Sequence, residues 1–221
     1  MPAMLAAACV LFLTGCDYPQ IPSDGKLTVC EIVLDDGNII RANHIAPWHK
    51  ERAVAVIFDE EKKLGIGVNV IRGDKRERIC LASSYARNNV LATNMYDGKL
   101  NTDLVKALDD YDKDYYPAFS FCTNYSAGDF KSGWYMPSLG ELKTIYANRE
   151  AIENAFEVLG RPNPFKHEYK DMYNTFWSST QVPVINTLNF AAVHFSDGSI
   201  THGGIYASIC AVRKFGITDR Y

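Results

Sequence analysis

No apolar run in these 221 residues is long enough to cross a bilayer as a helix, which takes roughly 20 residues. No basic stripe is present either: 23 basic and 26 acidic side chains give a net charge of −3, which leaves no electrostatic footprint for nucleic acid. Catalytic signatures are missing. There is no His-Glu-x-x-His helix, no Gly-x-Ser-x-Gly elbow and no phosphate-cradling glycine loop; Gly65-Ile66-Gly67 is two glycines in a strand. The six cysteines include no C-x-x-C pair, which argues against a zinc cluster. Internal repeats and low-complexity tracts are absent, and residues 1–15 carry no charged side chain.

What is present begins with the apolar stretch Leu5 to Leu13, which is followed by Leu13-Thr14-Gly15-Cys16. Such a stretch suits the core of a secretory signal. The tetrapeptide fits the lipobox cleaved by lipoprotein signal peptidase, although the Lys or Arg that usually opens a signal is missing. The expectation is a signal at residues 1–15, lipid on Cys16, and a polar, Pro-containing tether through Lys26 that holds the folded body off the membrane. More than one acyl chain on that cysteine makes the anchor stable. The compartment expected is the bacterial cell envelope, as an outer-membrane lipoprotein facing the periplasm or the surface.

Beyond the tether, residues 27–221 read as one domain, with strands, then helices, then strands, the order of an α+β fold. Asp35-Asp36-Gly37 between apolar runs predicts a hairpin over Leu27 to Ala46, and a second joins Ala53–Phe58 to Leu64–Ile71. Asn101-Thr102-Asp103 is read as the cap of a helix running to about Tyr111, with Leu104, Leu108 and Tyr111 on its inner face. Another helix is expected from Pro117 to Tyr125. Ser138 and Glu141 form a capping box ahead of Leu139, Leu142, Ile145 and Tyr146. Glu150 to Leu159 forms a further helix that stops at Gly160. Strands then follow at 176–179, 188–195, 200–206 and 208–215.

Of the five histidines, His194 and His202 are the tempting pair, on the hairpin around Asp197-Gly198. A two-residue loop sets His194 against Thr201 and Val193 against His202, so the imidazoles point to opposite sides of the sheet. No metal site and no cofactor are expected. The acidic clusters at Asp109–Asp114 and Asp35-Asp36 read as a solvated helix end and a turn. Cys30, Cys80, Cys122 and Cys210 permit two disulfides in three connectivities.

Three segments stand in one order: Gly133-Trp134-Tyr135-Met136-Pro137-Ser138-Leu139-Gly140-Glu141-Leu142, then Phe176-Trp177-Ser178-Ser179-Thr180, then Cys210-Ala211-Val212-Arg213. This resembles the bacterial C-type-lectin-like domains of the Legionella collagen-like adhesin C-terminal type and the Fibrobacter major paralogous domains. The amino-terminal half resembles that of Bacteroidetes lipoproteins. Met136, Gln181 and Ala211 depart from the usual residues. The resemblance implies a C-type-lectin-like fold with an amino-terminal hairpin extension and a motif core at 117–216. It also implies a disulfide from the first long helix to the last strand, Cys122 with Cys210, which leaves Cys30 with Cys80. Trp134, Trp177, Ser178, Ser179 and Arg213 read as core and capping residues, so the motifs mark a fold and not an activity.

Relatives serve adhesion or display, which implies a non-catalytic module for a glycan, peptide or protein ligand. Its expected surface is the stretch from Gln181 to Tyr206, where Asn186, Asn189, His194, Asp197, His202 and Tyr206 gather. The Ca²⁺-dependent sugar signatures of animal lectins are absent. A structural or accessory subunit of a fimbria or envelope complex is the alternative, and a long self-complementary edge strand would favour it. An enzyme is not expected: the distantly related formylglycine-generating enzymes need a copper-binding cysteine pair, which the isolated cysteines do not supply.

Overall fold

The computed structural model describes residues 27–70, 90–109, 111, 115–166, 174–184, 187–202 and 207–216. The expected signal at residues 1–15, Cys16, the expected tether through Lys26, Cys80, Asn186 and Tyr206 lie outside them. Strands β1 (Glu31–Leu34) and β2 (Ile39–Arg41) form the first hairpin. Leu34 N–H donates to the Asn38 carbonyl at 2.8 Å, which closes a three-residue loop. Its last residue, Gly37, sits at φ 81°, the left-handed position such a loop requires. Strands β3 (Ala53–Asp59) and β4 (Leu64–Gly67) form the second hairpin.

These hairpins are no appendage. Strand β8 (Val212–Lys214) pairs antiparallel with β4, so the carboxyl-terminal strand completes a sheet ordered β2-β1-β3-β4-β8. Strands β5 (Thr175–Val184), β6 (Thr187–His194) and β7 (Ile200–His202) make a second antiparallel sheet in that order. The α+β class expected from the element order is what the chain adopts.

Apolar side chains cover both faces of the central strands, so no polar-out alternation runs along them. In β3, Val56 and Phe58 enter one core cluster while Ala55 and Ile57 enter another. Strand β6 divides likewise, with Ala191 and Val193 on one side and Phe190 and Ala192 on the other. The first cluster is roofed by α4 (Leu139–Ala147) and α5 (Arg149–Val158) through Leu142, Ile145, Ile152 and Phe156. The second takes Ala118, Phe119 and Cys122 of α3 (Pro117–Asn124). Each fully buried Leu, Ile or Phe among them is worth about 1.5–3 kcal/mol.

The expected start of α4 and the expected stop of α5 hold. Ser138 Oγ accepts from Glu141 N–H at 3.2 Å while a Glu141 carboxylate oxygen accepts from Ser138 N–H at 2.7 Å. Gly160, at φ 70°, ends α5, and Arg161 N–H donates back to the Phe156 carbonyl. A four-residue turn of helix, α1 (Pro47–Lys50), joins the first two hairpins.

Helix α2 (Gly98–Lys106) departs from expectation. Its cap is Asp97, whose carboxylate accepts from Leu100 N–H at 2.8 Å, so it starts before Asn101. Its buried face is Gly98, Asn101, Thr102 and Val105, while Leu104 is exposed. Leu108 and Tyr111, beyond its end, pack half-buried against the second cluster.

The cysteines also depart from expectation. Cys30, Cys122 and Cys210 are free, buried thiols. Cys122 Sγ lies 3.4 Å from the Cys210 carbonyl oxygen, within reach of an S–H···O contact, yet the two thiols are not joined. Cys30 and Cys210 pack in the first cluster and Cys122 in the second, each filling apolar space as a small hydrophobe. The pairing of Cys122 with Cys210 is therefore not what the structure holds, while Cys80, the expected partner of Cys30, lies outside the described residues. Burial pushes the Cys30 thiol up to about 12, with Glu60 and Glu31 adding to the effect, and raises Cys122 and Cys210 too. Since the thiolate is the reactive form, iodoacetamide at pH 8 should label none of the three in the native protein and all three in denaturant. Rapid native labelling would contradict their burial.

Candidate recognition surface

The three sequence motifs meet inside the molecule. Trp134 is buried and its indole N–H donates to the Phe130 carbonyl at 3.0 Å. Trp177 is equally buried, with an indole N–H that has no partner among the described residues. Arg213 donates through Nε to the Ser132 carbonyl at 2.9 Å and lies over the Phe130 and Phe215 rings, 4.9 and 5.4 Å from their centroids. It holds the loop before Trp134, a structural role.

Beside them is a buried polar hub that joins α2, α4 and β5. The Glu141 carboxylate accepts from Ser138 N–H, from Gly98 N–H at 3.2 Å and from the Tyr135 hydroxyl at 2.9 Å. Burial raises its carboxyl above the ordinary value despite those donors, and it raises the Tyr135 hydroxyl further, reinforced by the adjacent carboxylate. Thr180 Oγ1 accepts from Leu139 N–H and donates to the Asn94 carbonyl, both at 2.9 Å. Ser179 Oγ donates to the Pro137 carbonyl and Ser178 Oγ to that of Ala191. The register of β5 against β6 slips between Trp177 and Gln181, which makes room for these side chains to turn onto backbone groups. Gln181 Oε1 accepts from Val90 and Ala92 N–H at 3.2 and 3.3 Å. Asn101 Nδ2 donates to the Asn94 carbonyl at 2.7 Å. Such a network satisfies buried groups that would otherwise cost about 1–3 kcal/mol each; it is an architectural joint between α2, α4 and β5.

The expected ligand residues among those described sit on the central strand β6, the edge strand β7 and the turn between them. Ala191 pairs with His202, Ala192 with Thr201 and Val193 with Ile200. The connection is therefore longer than two residues: His194 N–H donates to the Ser199 carbonyl, and Gly198 N–H donates to the His194 carbonyl. The register shifts by two from the expected one because Phe195 leaves the ladder for the core, where it stacks on Phe165 with centroids 4.6 Å apart. A shift of two preserves parity. His202 shares the face of Ala191 and Val193, and His194 lies on the opposite face.

Asn189 is half-buried on the same face as His202 and pairs in register with Val182. His194 is also half-buried, its Nδ1 2.6 Å from Thr175 Oγ1. Asp197 is exposed in the turn, where its carboxylate accepts from Ser199 N–H at 2.8 Å; that bond holds its carboxyl below the usual range. Lys143 Nζ donates to the Gly198 carbonyl and ties the turn to α4. The structure thus brings Asn189 and His202 to one face, Asp197 to the tip, and turns His194 away. No group of His, Cys, Asp and Glu among the described residues is arranged to hold a metal ion.

Sequence reasoning missed the roles of Asn94, Asn101, Thr102 and Gln181. The one signal for them was a run of polar residues where amphipathic patterning asked for apolar ones. Comparison with known protein families, with curated proteins and with solved structures gives no match.

Proposed function

We propose that the chain is an envelope-anchored lipoprotein with a C-type-lectin-like body that acts as a non-catalytic recognition module for a glycan, peptide or protein. The observation that carries this reading is the division of polar side chains. The Ser, Thr, Gln and Glu side chains of the motifs are spent inside, on backbone groups of the joint. Asp197 and His202 stand exposed on the β6–β7 hairpin, beside half-buried Asn189. The Leu13-Thr14-Gly15-Cys16 lipobox supports the anchor.

The reading as a fimbrial or complex-forming subunit has less support. Strand β5, ten residues long, would be the edge offered for strand addition. Its outer side is already engaged: Trp177 N–H bonds the Ser208 carbonyl, Ser179 N–H that of Pro137, and Gln181 N–H that of Ala92.

A glycan array and a pulldown from cell-surface extract test the module, using the parent chain beside a double substitution of Asp197→Ala and His202→Ala. Both residues are exposed, so the variant keeps the parent's melting temperature within a few degrees. Saturable binding by the parent, weakened at least about tenfold in the variant, a change of roughly 1.4 kcal/mol, is the expected result. A well-folded parent that binds nothing on either platform, or a variant that binds as the parent does, contradicts it.

A further inference from the structure

Helix α2 is built inside out. Polar Asn101 and Thr102 are fully buried, bonded to Asn94, Ser179, Thr180 and Met136. Leu100 and Leu104, one turn apart, face water. The segment leading into the helix continues the theme. Tyr96 is 76 % exposed, Leu91 65 % exposed and Met95 also exposed. Leu91 stands at φ 57°, a conformation a leucine adopts only under constraint. The constraint is the Gln181 side chain, which accepts from the N–H groups on either side of it. Buried hydrogen bonds thus hold five apolar side chains outward. Apolar residues set outward on a helix with a polar interior mark a surface meant for another phase.

We infer that this face, from Leu91 to Leu104, rests on the lipid bilayer to which the chain is anchored. The inference rests on the lipoprotein reading proposed above, and it replaces a body held clear of the membrane by one docked against it. The position of the tether supports the choice of a bilayer. The described residues start at Leu27, whose N–H donates to Asn148 Oδ1 at the carboxyl end of α4. The face lies at the other end of the same helix, where Gly140 N–H donates to the Met95 carbonyl at 2.7 Å. Nine residues of helix span about 13 Å. The eleven residues from Cys16 to Lys26 reach at most about 40 Å. A lipid on Cys16 therefore leaves the face within reach of the bilayer.

The chemistry of the face agrees. Tyr96 has the amphipathic ring suited to headgroup depth. Asp103 is neutralised locally by Lys99, with Nζ 2.7 Å from the carboxylate, and Asp97 is engaged as the helix cap. Burial at the interface removes the five apolar side chains from water without moving the joint beneath them. The second sheet runs from β5, against which α2 packs, to β7 at its far edge, so docking leaves the β6–β7 hairpin on the side away from α2.

The test uses the lipidated full-length protein in phosphatidylcholine vesicles brominated near the headgroup end of the acyl chains. Tyr96→Trp and, separately, Leu104→Trp place a reporter in the face; the parent, with tryptophans at 48, 134 and 177, supplies the background. The expected result is a blue-shifted added emission, quenched at least about twofold by the brominated lipid in both variants. Protein that floats with the vesicles while the added emission stays unquenched overturns the docking and leaves the anchor standing. Protein that fails to float overturns the anchor and the docking with it. Quenching that is absent in vesicles while sedimentation shows a dimer broken by Leu104→Glu assigns the face to a second copy and also overturns the inference.

Discussion

Glu141→Leu lowers the stability of the folded protein by about 3 kcal/mol, a shift of roughly 6–12 °C in melting temperature for a chain of this size. One carboxylate takes three donors: Ser138 N–H, Gly98 N–H and the Tyr135 hydroxyl. A carboxamide of the same shape would still serve them, its oxygen accepting from the two N–H groups and its NH₂ donating to the Tyr135 hydroxyl, whereas leucine accepts from none, and each buried donor left without an acceptor costs about 1–3 kcal/mol. Because the three donors belong to the α2 start, the α4 cap and the strand-like segment before it, the loss is cooperative. The deficit is read by denaturant titration.

A pH series adds a second arm. Burial raises the folded-state carboxyl of Glu141 above its ordinary value. The contribution of such a group is fully present below the unfolded-state value and is lost as pH rises through the raised folded one. Leucine does not titrate, so the gap between parent and variant is widest at low pH and narrows across that window. A gap that widens with pH would mean that the three donors outweigh burial and that the carboxyl is lowered.

Gly98→Ala is the second large effect, a loss of about 3 kcal/mol or more. A Cβ there meets the Met136 carbonyl oxygen, lies 2.5 Å from Ser138 N and 2.6 Å from a Glu141 carboxylate oxygen. Two of those atoms are backbone, so the clash is not relieved by a rotamer change. Alanine is otherwise the better residue in a helix, by about 1 kcal/mol, so the measured loss isolates the close approach of α2 to the α4 cap. Gly160→Ala is the control. Its φ is 70° but a Cβ there meets nothing within 4 Å, and only the conformational cost of about 1 kcal/mol remains. Equal losses at the two positions would contradict the tight joint.

These two positions show what was legible in the sequence. Local chemistry was: Asp35-Asp36-Gly37 announced its hairpin, Ser138 and Glu141 their capping box, and Gly160 the end of α5. What Glu141 does beyond the cap was not, because its bond to Gly98 spans 43 residues and no local pattern encodes it. Helix α2 misled for a physical reason. Amphipathic reading assumes that apolar residues face inward, and here Asn101 and Thr102 take the inner positions to satisfy buried backbone groups, which leaves the leucines outside. The β6–β7 register failed because Asp197-Gly198 looked like a two-residue turn, while burial of Phe195 required a longer one. The parity of His194 and His202 survived only because the slip was even.

The candidate surface was legible as a composition of polar residues on a late hairpin, and the structure refined which of them face together. The resemblance to C-type-lectin-like domains pointed to Cys122 and Cys210 as a bonded pair. Their side-by-side placement is seen, and the bond is not.

The anchored recognition module stands or falls first at Cys16, since both the orientation of the hairpin and the docking of the Leu91–Leu104 face depend on it. Intact-mass and amino-terminal peptide spectrometry of the protein extracted from its native membrane is the direct measurement. The predicted result is a chain that begins at Cys16, carries a diacylglyceryl group on its sulfur and lacks residues 1–15. A chain that retains those residues, or one that begins at an unmodified Cys16, would contradict it.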